Sequence, residues 1–197
     1  MSAVLEGTIP KTTNKGVKPR LITVAEYDRM IEAGIYTEND NIELLNGEII
    51  ELIPKGTKHA SANSRIARLF VRLFDEKVIV RNQDPIRLDD FSEPEPDIVL
   101  ANWDEKEYAE NHPTPKDIFL VMEISDSTLA YDRDDKALAY SRNNIRQYLL
   151  LNLQNETVED YRQPNADGYG SKQTLHKGES FALAVFPEIE IKVDDLF

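Results

Sequence analysis

Hydrophobic positions recur along this chain in short blocks whose period alternates between helical and extended. Val24, Tyr27 and Ile31 fall on one helical face, with Thr23 and Glu26 at capping-box spacing and Gly34 behind them. That pattern predicts a helix over about 23–33. Residues 42–53 (IELLNGEIIELI) are apolar on both sides of Asn46-Gly47, a strong hairpin signal, and Pro54 and Gly56 close the block. Ile66, Leu69, Phe70 and Leu73 then mark the buried stripe of a long helix over about 57–75, while Arg65, Arg68 and Arg72 share another face. Two β-rich runs follow, about 77–88 and 97–101, separated by an acidic turn with proline; residues 104–117 read as a polar loop. IFLVMEIS at 118–125 suits a central strand. A helix over about 130–142 and a strand over 148–153 come next. Strands at 157–162 and 171–176 turn at Asp167-Gly168, and a last short strand lies near 188–193. The order predicts an α+β (mixed α/β) layer with one curved sheet. Residues 1–20 have no apolar period and read as a loose tail or arm, leaving 21–197 as a single domain.

Composition narrows the field. The 197 residues suffice for a core without staples, and 41% apolar with 30% charged is ordinary globular usage. No run approaches the roughly 18 uncharged apolar residues of a membrane span, and no apolar signal core opens the sequence, so a cytoplasmic protein without a membrane partner is expected. Cysteine is absent, which excludes disulfides, thiolate metal sites and cysteine nucleophiles. His59, His112 and His176 are too scattered for a histidine-rich metal site. The net charge of −13 argues against indiscriminate adhesion to nucleic acid. Residues 55–87, however, hold eight bases against three acids, a local +5 that leaves −18 on the remainder. Charge alone does not decide the partner.

Carboxylates carry the candidate chemistry. Glu95 and Asp97 are two apart in EPEPD and share a face if extended, and Pro94 and Pro96 keep that segment from pairing on both sides. Glu123 lies near the carboxyl end of the predicted central strand, on one face with Val121 and Ser125. Asp132, Lys136 and Tyr140 line one face of the next helix. Two carboxylates on neighbouring strands with a nearby lysine suit Mg²⁺-dependent phosphodiester hydrolysis, because Mg²⁺ prefers oxygen ligands and keeps waters. Each residue also has a plainer reading. Asp97 can be a strand-start residue, Glu123 a solvent-facing acid at a sheet edge, and the arginines solvated surface. Lys136 can pair with Asp132 on an exposed face, worth about 0.2–0.5 kcal/mol. His59 near a helix start reads as structural or solvent-facing rather than as a general base.

Taken together, the ordered blocks RLITVAEYDRMIEAGI, IELLNGEIIEL, KGTKHA, PIRLDDFSEPEPDIVL, FLVMEISDST and DRDDKALAYSRNNIRQYLLLN resemble the Uma-type restriction endonuclease family, abundant in cyanobacteria, from about Arg20 to Phe197. The resemblance implies membership of the P-D…(D/E)-x-K nuclease superfamily and its restriction-endonuclease-like core, a mixed sheet flanked by helices, here with N-terminal and C-terminal hairpin additions. By that resemblance, Asp97 after Pro96 matches the P-D aspartate and Glu123 matches the acid of (D/E)-x-K. The lysine expected two residues on is replaced by Ser125, and the family's lysine matches Lys136 on the following helix. Glu43 matches the glutamate of the first hairpin, a further metal ligand or an acid facing the site. His59 and Gln83 fall in recurring blocks of the family without an assigned role. The family's E-Y-W reads Gln147-Tyr148-Leu149 here, where a structural role is expected.

The resemblance implies an endonuclease acting on DNA, with Mg²⁺ or Mn²⁺ held by Asp97 and Glu123 and by a backbone carbonyl next to Ser125. Lys136 would steady the attacking water or the transition-state charge. Arg65, Arg68 and Arg72 are candidate phosphate contacts, and a homodimer, built through residues 1–20 or an edge strand, is expected for an enzyme that cuts two strands. Two rivals stand beside it: a non-catalytic DNA-binding or regulatory module on the same fold, and a hydrolase of small phosphoesters that needs no arginines.

Overall fold

The computed structural model describes residues 19–37 and 39–197. The expected tail, through residue 18, lies outside the described residues. The chain runs α1 (Val24–Glu32), β1 (Ile42–Leu45), β2 (Glu48–Glu51), α2 (Thr57–Phe74), β3 (Ile79–Asn82), β4 (Ile98–Ala101) and β5 (Ile118–Ser125). A short α3 (Leu129–Tyr131) then passes through a wide π turn, Asp132–Lys136, into α4 (Ala137–Arg142). β6 (Gln147–Asn152), β7 (Thr157–Asn165), β8 (Gly168–His176), β9 (Ser180–Leu183) and β10 (Phe186–Lys192) complete it.

Six strands form the main sheet in the order β3-β4-β5-β6-β7-β8. Only β5 and β6 pair in parallel, the pair joined by the α3–α4 crossover; the others are antiparallel neighbours. The β1–β2 and β9–β10 hairpins stand apart as two-stranded ladders. The expected mixed sheet and N-terminal hairpin addition both form, whereas the hairpin expected over 157–176 belongs to the main sheet as β7–β8 and the C-terminal addition is β9–β10. β9 answers to no strand expected from the sequence.

The all-apolar stretches of β4, β5 and β6 are buried on both faces. One face packs Ile66, Phe70 and Phe74 of α2 and Leu183, Ile191 and Leu196 of the C-terminal segment against Leu100, Met122 and Leu149. The other packs Ala137 and Tyr140 of α4 and Leu45 against Val99, Val121, Tyr148 and Leu150. Burial of such side chains contributes roughly 1.5–3 kcal/mol each. The expected capping box of α1 forms: Thr23 Oγ1 accepts from the Glu26 N–H at 3.3 Å, and Glu26 accepts from the Thr23 N–H at 3.0 Å. Gly47 closes the first hairpin at φ +79°, and a Cβ there would stand 2.6 Å from Leu21 Cβ, so glycine is required on two counts.

The β-rich run 77–88 pairs only over Ile79–Asn82. Gln83 turns into the left-handed region at φ 59°, and Ile86 and Leu88 donate instead to Pro94 and Ser92 carbonyls. No helix among the described residues is long and apolar enough to cross a membrane.

Candidate active site

Strand register makes the site. Ile98 pairs with Met122 across the antiparallel β4–β5 ladder, so Asp97, at the entry to β4, lies beside Glu123 near the exit of β5. The Asp97 N–H faces Glu123 Oε2 at 3.4 Å, and Asp97 Oδ2 accepts the Ile124 N–H at 2.8 Å. Both carboxylates are buried. A small cavity of about 80 Å³ opens over them, also lined by Lys55, His59, Asp132 and Lys136.

Each acid has its own retinue. Asp97 Oδ2 lies 2.9 Å from His59 Nε2 on the first turns of α2. Its Oδ1 accepts from Gln83 Nε2 at 3.2 Å and pairs with Lys55 at 3.1 Å. Burial works to raise the Asp97 carboxyl, but the His59 hydrogen bond, the Lys55 charge and the Ile124 N–H outweigh it and hold it down at about 2. Glu123 Oε1 accepts from Lys136 Nζ at 3.0 Å and from Tyr140 OH at 2.6 Å. Here burial prevails over Lys136, and Asp97, Asp132 and Glu43 add repulsion, so the carboxyl is raised to about 8.

Lys136 reaches this point because of the π turn. Thr128, Asp132, Lys136 and Tyr140 are spaced by four, and on an α-helix each such step drifts by about 40°. The wide turn, in which the Ala137 N–H reaches back five residues to the Asp132 carbonyl, takes up part of that drift. The solvated Asp132–Lys136 pairing considered for the sequence is not what forms. Lys136 is buried between Glu123 and Glu43, 3.1 Å from Glu43 Oε2, and Asp132 accepts from Thr128 at 2.6 Å. Burial disfavours the ammonium, yet the charges of Glu123 and Glu43 hold it well above the ordinary lysine range.

Glu43, on β1, is fully engaged: Oε1 accepts from Tyr131 OH at 3.0 Å, and Oε2 takes the Glu95 N–H at 3.1 Å as well as Lys136. It anchors the lysine. Of the two plainer readings of His59, structural or solvent-facing, the second does not hold: the ring is buried against Asp97. The basic KGTKHA block was the signal for Lys55 and His59, and it does not show that the start of α2 packs against Asp97. Ser125 faces Thr128 at 3.4 Å, and its carbonyl accepts from the Leu153 N–H at 2.9 Å, whereas Ile124 lines the cavity.

The three arginines do not converge on the cavity. Arg68 and Arg72 are exposed, but Arg65 donates to the Leu196 carbonyl at 3.1 and 3.3 Å and pins the C-terminal turn. Gln147 belongs to the opposite face of the sheet. It donates to Asp160 at 2.9 Å and accepts from the Ala184 N–H at 2.9 Å, tying β6 to β7 and to the segment after β9.

No three Asp, Glu or His side chains among the described residues form a ready-made metal cage. The donor chemistry nevertheless fits a hard divalent cation. Asp97 and Glu123 offer carboxylate oxygens, and Glu123 has three other carboxylates near it against the single ammonium of Lys136. A cation would relieve that surplus, with water completing its shell.

Comparison with known proteins agrees with this architecture. Among solved structures, the chain is similar to a crystal structure titled "a putative nuclease belonging to DUF820", from Anabaena variabilis ATCC 29413. The TM-score is 0.67 at 19% identity, covering 89% of this chain and 97% of that one, which shows a shared fold. No curated protein sequence matches it significantly. The Uma2 family model, described as "Putative restriction endonuclease", matches residues 24–194, a span that includes Glu43, His59, Asp97, Glu123 and Lys136, and the chain belongs to that family.

Proposed function

We propose that this protein is an endodeoxyribonuclease that hydrolyses DNA phosphodiester bonds with the help of Mg²⁺ or Mn²⁺ held by Asp97 and Glu123. The observation that carries the reading is the convergence of these two buried carboxylates, from adjoining strands, with Lys136 set 3.0 Å from Glu123. When bound, the cation supplies Lewis acidity to the phosphodiester and to the water that attacks it.

The chain's own residues do the remaining work. Lys136 stays cationic between two carboxylates, so it serves as a fixed positive charge for the developing phosphoryl oxyanion rather than as a base. Glu43 and Tyr131 hold that ammonium in place. Gln83 and His59 fix the rotation of the Asp97 carboxylate, and the Ile124 carbonyl, next to Ser125, is the proposed third ligand. Lys55, exposed at the rim, is placed to meet an incoming phosphate, with Arg68 and Arg72 as outlying phosphate contacts. Cutting both strands calls for two centres, which a symmetric homodimer supplies.

The test is supercoiled-plasmid cleavage in Mg²⁺ or Mn²⁺ by wild type and Asp97→Ala purified side by side. Wild type should nick or linearise the plasmid and the variant should not. Equal cleavage by both would remove Asp97 from the centre, and no cleavage by either would favour the non-catalytic DNA-binding module.

A further inference from the structure

We infer that a groove of about 470 Å³ beside the carboxylate cavity receives an unstacked nucleobase of the substrate strand, so that the preferred substrate is single-stranded or frayed DNA rather than intact duplex. The inference rests on the nuclease reading above and extends it to the class of substrate.

Groove and cavity share a wall, residues 52–55 and Glu95. Gln83 links them directly: its amide donates to Asp97 Oδ1 at 3.2 Å, and the same residue lines the groove. A nucleotide with its phosphate at Asp97 therefore has the groove next to its sugar and base. The volume falls in the range of about 300–1,000 Å³ typical of small-ligand sites, ample for one nucleoside. Its walls are the half-buried ring of Tyr36 and two apolar side chains that water reaches freely, Ile31 at 45% and Ile53 at 62% exposure. Asn41, Gln83 and Glu95 add hydrogen-bonding groups among them.

Charge decides which part of a nucleotide fits. Among the described residues, the charged side chains lining the groove are Asp40 and Glu95 against Lys55, and Lys55 stands at the border with the cavity. A phosphate backbone would be repelled there, whereas an uncharged base would not. An aromatic face, aliphatic rims and neutral amides are what an exposed base stacks on and pairs with. The two carboxylates accept hydrogen bonds, so bases that present amino groups (cytosine, guanine, adenine) are favoured over thymine. A base inside a duplex would have to leave its stack and its pairing partner to enter. Beside the groove, Lys55 at its border is the cation placed to offset that loss.

The test uses the full chain with Ca²⁺ to suppress turnover, and reads fluorescence anisotropy of a labelled short single strand and of its duplex. A second set of single strands carries one abasic position each. The single strand should bind about ten-fold tighter than the duplex, and abasic substitution at one position should weaken binding by about ten-fold. Tyr36→Ala should show the same loss and be indifferent to that abasic position. Ile53→Ser, at an exposed position that cannot disturb the core, should reproduce part of the loss. Equal binding of single strand and duplex, no abasic effect at any position, additive effects of Tyr36→Ala and the abasic site, or no DNA binding at all would each overturn the inference. Plasmid cleavage separates it from the nuclease reading. Metal-dependent cleavage without a base effect removes the groove and keeps the enzyme; base-dependent binding without cleavage keeps the groove and removes the enzyme.

Discussion

Two groups of buried carboxylates sit on this sheet and are balanced in different ways. On β7, Glu159 is bracketed by Arg133 at 2.6 and 3.2 Å, by Lys172 at 2.8 Å and by Tyr161 OH at 2.5 Å. Its neighbour Asp160 is held by Arg162 at 2.7 and 3.0 Å and by Gln147 at 2.9 Å. Burial works to raise Glu159, but Arg133, Lys172 and Tyr161 outweigh it, and the carboxyl sits at about 2. Around Glu123 the same desolvation meets only one ammonium and three further acids, and the carboxyl rises to about 8. The first group is a finished set of charge-assisted hydrogen bonds that stabilises strand pairing. The second is left short of positive charge, which is the condition for taking up a cation.

The largest expected effect comes from exchanging one acid for its amide in each group. Glu123→Gln should lower plasmid cleavage by about 10²–10³-fold, the scale of losing one group that stabilises charge in the transition state. Glu159→Gln should leave cleavage unchanged but destabilise the protein by about 1–3 kcal/mol, read by urea unfolding. Loss of cleavage in both, or in neither, would erase the contrast.

The pH dependence of metal-free stability sharpens it. A carboxyl raised from 4.5 to about 8 on folding contributes stability that is fully present below 4.5 and is lost as pH rises through about 8. Asp97, lowered from 3.8 to about 2, has the opposite sign: its contribution is present above 3.8 and is lost as pH falls through about 2. Thermal melts in chelator should therefore show Glu123→Gln melting above wild type beyond pH 8 and converging with it below pH 4.5. Parallel curves across that range would mean that folding does not raise the Glu123 carboxyl.

The smallest effect concerns the family glutamate position. Gln147→Glu restores the family residue but places a carboxylate against Asp160 on the face away from the cavity. Stability should fall by about 1 kcal/mol, softened by Arg162, with cleavage unaltered. A gain in cleavage would show that the two faces communicate.

Local chemistry made much of this fold legible. The Thr23–Glu26 box, the Asn46-Gly47 turn and the run IFLVMEIS each specify an element within a few residues, and each forms where expected. Strand and helix patterning singles out Asp97, Glu123 and Lys136 as candidates, and the family blocks join them into one set, since no spacing rule joins a strand entry, a strand exit and a helix. What stayed hidden depends on contacts far along the chain. His59 meets Asp97 across 38 residues, Tyr131 meets Glu43 across 88, and Arg65 reaches Leu196 across 131. A polar side chain on an amphipathic helix gives no sign of whether its face is solvent or a neighbouring carboxylate.

The π turn that delivers Lys136 has a consequence for how relatives of this chain are aligned. A lysine placed on the strand is located by counting residues; one placed on a helix is located by rotational phase, about 100° per residue. Inserting or removing a single residue between Lys136 and Tyr140 would leave every amino acid of the site in the sequence yet change the rotation at which one of the two meets Glu123. Insertions and deletions in that short stretch thus outrank many substitutions, and the wide turn acts as the phase setting of the centre.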